Sequence, residues 1–147
     1  MSAGLVLEVI DDEVESLGVS LTASNGRFRG TITAIYGGPD DVAALADGLA
    51  GFPTSALDVR VFELGIVGIG DGSGWARLGF RVADAVGHAV LDVQLAAVGW
   101  TSNVAGSLPE TASFSLAIDA ASLDRFVSQL HALVSARSGA AHLEASS

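Results

Sequence analysis

Cysteine is missing from all 147 positions, and so is lysine. The first absence excludes disulfides, thiolate catalysis and cysteine-ligated metals. The second excludes the lysine of a phosphate-binding P-loop and any Schiff-base chemistry. Positive charge is scarce altogether: the seven basic residues are all arginines (Arg27, Arg29, Arg60, Arg77, Arg81, Arg125 and Arg137), against 17 acidic residues. The net charge of −10 argues against nucleic acid or an anionic membrane as partner, because phosphate surfaces need cations to neutralise them. Over about a Debye length, roughly 8–10 Å in physiological salt, such a protein attracts basic partners and repels acidic ones. The same charge also keeps a protein in solution. No uninterrupted apolar run reaches the ~18 residues that a membrane-spanning helix needs. The first residues, Met1 to Gly4, lack the basic region of a secretion signal, so a cytoplasmic location is expected.

What is present is half hydrophobic, in a length that suits one domain with a real core. Leu5 to Ile10 reads as a strand with Leu5, Leu7 and Val9 on one face. An acidic turn follows, with Asp11, Asp12, Glu13 and Glu15. Asn25-Gly26 then marks a two-residue hairpin turn. Pairing across it aligns Ala23 with Phe28, Leu21 with Gly30, Val19 with Ile32 and Leu17 with Ala34, all core types. Ser24, Arg27, Thr22 and Arg29 fall on the other face, and a slip of one residue would mix the two.

Pro39, Asp40 and Asp41 begin a helix whose apolar stripe is Val42, Leu45, Ala46 and Leu49; Gly51 and Pro53 end it. Leu57 to Leu64 reads as a strand whose apolar parity switches, which implies a bulge near Val61-Phe62. Trp75–Val82 and His88–Val98 form a second hairpin, with Val82 opposite Ala89, Phe80 opposite Leu91, Leu78 opposite Val93 and Ala76 opposite Leu95. A loop over Gly99 to Glu110 leads to a last strand with Ala112, Phe114, Leu116 and Ile118 inward. Asp119 caps a closing helix with Leu123, Phe126, Val127, Leu130 and Val134 buried. The expected order is β-β-β-α-β-β-β-β-α. It describes an α+β domain over residues 1–137: a mostly antiparallel sheet of about seven strands, with two amphipathic helices on one face. Residues 138–147 are expected to be a disordered tail. No repeat of fixed period stands out.

Motifs that carry chemistry are thin. Gly68 to Gly74 is glycine-rich, but it precedes a strand rather than opening a helix, so it lacks the context of a nucleotide site. Asp71 has no companion carboxylates for calcium. Ser73 lacks the flanking glycines of a nucleophile elbow. His88, His131 and His142 lack an evident second ligand at coordinating spacing. No cofactor, metal or catalytic residue is therefore expected. Two patterns suit binding. One is the carboxylate cluster Asp11, Asp12, Glu13 and Glu15, which fits a basic partner. The other is the set Arg27, Arg29, Arg77 and Arg81 with Trp75, all assigned to the non-core side of their strands. The second set leaves open a protein interface, an anionic-ligand site or enzyme, and a self-assembling face.

The stretches Tyr36-Gly37-Gly38-Pro39-Asp40-Asp41-Val42-Ala43-Ala44-Leu45-Ala46, Trp75-Ala76-Arg77-Leu78-Gly79-Phe80-Arg81 and Leu123-Asp124-Arg125-Phe126-Val127 resemble small bacterial proteins of uncharacterised families. Some of these are grouped with immunity proteins of the WapI type, which neutralise toxins of interbacterial competition. The resemblance implies a binding protein rather than an enzyme.

Overall fold

The computed structural model describes residues 3–12, 17–37, 39–65, 74–100 and 107–146. Strands β1 (Gly4–Asp12), β2 (Leu17–Ser24) and β3 (Arg29–Gly37) are followed by helix α1 (Pro39–Leu49) and β4 (Val59–Gly65). Then come β5 (Trp75–Val82), β6 (Ala89–Trp100), β7 (Ser107–Ile118), α2 (Ala120–Ala136) and β8 (Ala140–Glu144). Among the described residues, no helix is long and apolar enough to cross a membrane.

The α+β class is as expected, but the single sheet is not. The strands form two four-stranded antiparallel sheets, ordered β3-β2-β1-β8 (sheet A) and β4-β5-β6-β7 (sheet B). Each three-stranded meander ends in a helix that carries the chain to the other sheet, where the next strand pairs. The buried faces of both sheets and of both helices contribute to one continuous core. An isolated bridge between Ile118 and Ala145 also ties β7 to the chain just beyond β8.

This arrangement is a βββαβ unit used twice, with the fourth strands exchanged. The cross-strand row Ala141–Leu7–Leu21–Ile32 in sheet A corresponds to Phe62–Leu78–Val93–Phe114 in sheet B. The neighbouring row Leu143–Leu5–Ala23–Gly30 corresponds to Leu64–Ala76–Leu95–Ala112. The helices agree as well: buried Val42, Leu45 and Leu49 match buried Leu123, Phe126 and Leu130. Equivalent parts meet one another. A Cβ on Gly30 would lie 3.5 Å from that of Ala112, and α1 packs on α2.

The duplication makes the chain ends the counterpart of the β4–β5 connection. Gly4 pairs with Glu144 as Trp75 pairs with Gly65, and the Ala145 N–H donates to Ala3 O at 3.2 Å. A circular permutant with its ends joined by a short linker and opened between Gly65 and Trp75 is therefore expected to fold. Its circular dichroism melt should lie within a few degrees of the parent; a non-cooperative melt would refute the equivalence.

Local structure departs from expectation at four places. The first hairpin pairs Ser24 with Arg29 and Leu21 with Ile32, two residues further along β3 than a two-residue turn allows. The Asn25 carboxamide is the cause: its Oδ1 accepts the backbone N–H of Arg27 (3.0 Å) and of Phe28 (2.8 Å), which stabilises a longer loop. A shift of two preserves the faces as far as Ile32, but it leaves Phe28 60% exposed rather than in the core. Past a bulge between Val19 and Leu21 the shift becomes three, so Val19 pairs with Ile35, and Ile35 rather than Ala34 is buried. Strand β4 carries no bulge: it pairs regularly with β5, pointing Phe62 and Leu64 inward and leaving Val59 and Val61 exposed.

The expected loop over 99–110 is largely strand at its ends, since β6 continues to Trp100 and β7 begins at Ser107. The fourth departure is the tail. Its residues 140–144 are β8, with Ala141 and Leu143 buried against β1 and α2. Other assignments hold. The β5–β6 register matches all four expected pairs. The α1 stripe is buried, and Asp119 caps α2 by accepting the N–H of Ala121 at 2.8 Å.

Candidate binding surfaces

Side chains alternate across a strand, so the outer face of sheet B collects every second residue of β4 to β7. Cross-strand rows on that face are Glu63–Arg77–Gln94–Ser113 and Val61–Gly79–Asp92–Ser115. All of these except Glu63 line an open hollow of about 360 Å³, together with Arg81 and Val59. Val59 and Val61 are 65% and 46% exposed. Arg81 is not free: its Nε donates to Asp92 Oδ2 at 2.7 Å and its Nη2 to Asp92 Oδ1 at 3.3 Å. The Ser115 hydroxyl adds a third donor to Asp92. Hydrogen bonding from Arg81 holds the Asp92 carboxyl below its ordinary range, with Ser115 assisting, and the same pair raises the Arg81 guanidinium. Both groups are substantially exposed, so water screens the pair and its contribution to stability is small.

Of the arginine set expected to share one side, Arg77 and Arg81 line this hollow. Trp75 is half-buried on the same face at the start of β5. Arg27 and Arg29 are exposed on the β2–β3 hairpin of the other sheet, so the four do not share a strand surface. That hairpin is tethered near sheet B, because Asn25 Nδ2 donates to Ser115 O at 3.3 Å.

A second surface lies at one end of sheet A. Asp11 pairs with Gly18 and Gly18 with Tyr36, while Asp12 pairs with Leu17 and Leu17 with Gly37. The chain then turns into α1, whose first turn holds Asp40 and Asp41. Asp41 and Leu17 line one crevice. Two acidic pairs far apart in sequence are thus brought to the same end. Gly18 permits the aromatic part of this surface: a Cβ there would lie 2.8 Å from Tyr36 Cε1 and 3.1 Å from Asp11 Cβ. The Tyr36 ring therefore lies across Gly18 towards Asp11, and it is 46% exposed. Ile10, displaced by the β1 bulge between Val9 and Asp11, is 45% exposed nearby. Asp12 forms an ion pair with Arg137 at the end of α2. Glu13 and Glu15 of the expected cluster lie outside the described residues, as does most of the glycine-rich stretch.

The histidines have local partners. His88 Nδ1 lies 2.6 Å from Asp84 Oδ2 within the β5–β6 connection, and hydrogen bonding to His88 lowers the Asp84 carboxyl. His131 Nε2 is 3.8 Å from Asp47 at the helix–helix contact. The backbone N–H of His142 donates to Gln129 Oε1 at 2.7 Å. Among the described residues, no three histidine or carboxylate side chains gather in a way that would hold a metal.

Sequence reasoning missed Asp40, Asp41 and Tyr36 as members of the acidic end. Helix-start chemistry is explanation enough for the two aspartates, so their spacing carries no sign of Asp11. It also missed Val59, Val61 and Gly79, although a glycine in the middle of a strongly alternating strand is a legible anomaly.

Comparison with protein-family models, with curated proteins and with solved structures finds no match to this chain.

Proposed function

We propose that the chain is a non-enzymatic protein-binding domain that docks a basic partner. An immunity protein occluding a basic toxin is the case that the WapI-type resemblance implies. The observation that carries this reading is the gathering of Asp11, Asp12, Asp40 and Asp41 at one end of sheet A, with Asp11 in one cross-strand row with the exposed Tyr36. An aromatic ring beside the Asp11 carboxylate suits lysine and arginine side chains, which are attracted both by charge and by the ring face. The net charge of −10 acts at longer range and speeds encounter with a cationic partner. Binding would act by covering the partner's functional surface, with no chemistry in this chain.

The test is a pull-down from the native organism's lysate at low and high salt, run in parallel with the variant Asp11→Lys/Asp40→Lys/Asp41→Lys. The expected outcome is one stoichiometric partner of basic isoelectric point, weakened by salt and weakened about 100-fold or more by the triple reversal. A partner held equally by the variant, with no salt dependence, would remove the electrostatic reading.

A further inference from the structure

Gly79 is where the two units differ in a way that folding does not require. It stands in the middle of β5 between Val61 and Asp92, whereas its counterpart in β1 is Glu8, between Ala140 and Ser20. A mid-strand glycine weakens a sheet. The two usual reasons to keep one do not apply here. Gly79 is not among the positive-φ glycines. An added Cβ would meet nothing nearer than Asp92 Cβ at 3.8 Å, an ordinary contact. Gly18, Gly30, Gly48 and Gly74 are different, for each would place a Cβ within 3.0 Å of a neighbour. What Gly79 does is keep open the floor of the hollow on sheet B.

The geometry points to this hollow as a binding site for a small carboxylate with an aliphatic body. The charged lining is Arg77, Arg81 and Asp92. Arg81 and Asp92 are closed on each other. Arg77 has no ion-pair partner among the described residues. It shares a cross-strand row with Gln94 and Ser113, so three groups able to donate hydrogen bonds stand side by side; Glu63, opposite Arg77 on β4, makes no ion pair with it and is not part of the lining. One cation with two neutral donors matches one carboxylate, which a guanidinium takes in bidentate fashion. The overall charge of −10 disfavours polyanions such as nucleotides.

The next row holds Gly79 and the exposed Val61, with Val59 beyond. Rows two residues apart are separated by roughly 7 Å. A ligand whose head sits on Arg77 therefore lays an aliphatic body of a few carbons over Gly79 and against the two valines. A free acid and the C-terminal residue of a peptide share this chemistry.

The test uses the full chain labelled with ¹⁵N, titrated with hexanoate, with N-acetyl-leucine and with N-acetyl-leucinamide. Both carboxylates are expected to shift the Gly79 and Arg77 amide resonances saturably, and the capped amide is not. A stronger response to hexanoate assigns a free acid as the natural source; a stronger response to N-acetyl-leucine assigns a chain terminus. Gly79→Val fills the hollow with a good strand former. It is expected to melt about 2–4 °C higher than the parent while losing about tenfold or more in affinity. Arg77→Met should lose a similar factor.

Gly79 resonances that do not move, equal shifts with the capped amide, a lower melting temperature for Gly79→Val, or unchanged affinity in that variant would each overturn the proposal. The triple charge-reversal variant keeps this site intact, so the carboxylate titration succeeds or fails independently of the basic-partner reading.

Discussion

Ending the chain at Arg137 is expected to abolish the cooperative fold. The ten residues removed include β8, which contributes Ala141 and Leu143 to the core at 0% and 1% exposure. Among the described residues, strand β8 is also the only sheet partner on that side of β1, running from Gly4↔Glu144 to Glu8↔Ala140. Side-chain contacts add to the pairing. The Ser122 hydroxyl, buried in α2, accepts the Glu144 N–H at 2.8 Å, and the bridge from Ala145 to Ile118 reaches the other sheet. A single buried Leu→Ala change costs about 3–5 kcal/mol. Loss of the whole strand exceeds that and approaches the 5–15 kcal/mol that stabilises a typical domain. Thermal melts followed by far-ultraviolet circular dichroism would show this as a missing transition. A truncated chain melting cooperatively near the parent temperature would mean that β8 is an accessory strand.

Arg60→Ala should be the most damaging single change to a charged residue, at about 2–4 kcal/mol. The guanidinium sits where α1 ends and β4 begins. Its Nη1 donates to Gly48 O (3.0 Å) and Ala50 O (2.9 Å), carbonyls left without helical partners at the end of α1. Its Nε and Nη2 reach the two oxygens of Asp58 at 3.1 and 2.9 Å, and the group lies 5.4 Å from the Phe52 ring centroid. Lysine cannot bridge carboxylate and carbonyls at once, so Arg60→Lys should recover less than half of the loss.

The same cluster sets a pH dependence. Hydrogen bonds from Arg60, and then from the Thr54 N–H, hold Asp58 at about 2 against an ordinary 3.8. A carboxyl depressed in the folded state stabilises the fold above its unfolded value. That contribution is present above about pH 4 and is lost as the pH falls towards about 2. Urea midpoints of the parent should therefore decline across this window, and those of Arg60→Ala should decline less. Parallel curves would sink the assignment.

Arg60 also shows how a correct pattern can be misread. Its inward position breaks the apolar alternation of β4, and alternation alone then suggests a bulge. The guanidinium is tolerated facing inward because helix carbonyls, Asp58 and an aromatic ring satisfy it there, and those partners are assembled only by the fold. Phe28 is a similar case. Its place in the alternation is right for a core residue, but the Asn25 side chain lengthens the loop and leaves it in water.

Local chemistry was legible wherever neighbours in sequence decide the outcome. The stripe of α1, the Leu123, Phe126 and Leu130 part of the α2 stripe, the Asp119 cap, the faces of β1 and β2 and the full β5–β6 register are settled by periodicity, because burial of one face rewards only one parity. Leu133 is buried in α2 where periodicity expects Val134, and Val127 and Val134 are only partly covered. Composition settled the acidity and the absence of thiol and lysine chemistry. Periodicity says which face of a strand is buried, but it does not say which strand lies beside it. That β4 and β8 cross to opposite sheets, that one βββαβ plan is used twice, and that Asp11 and Asp41 lie at the same end of sheet A are outcomes of long-range pairing. So is the hollow left around Gly79. They follow from which apolar faces can close on one another, and only the complete three-dimensional packing decides that.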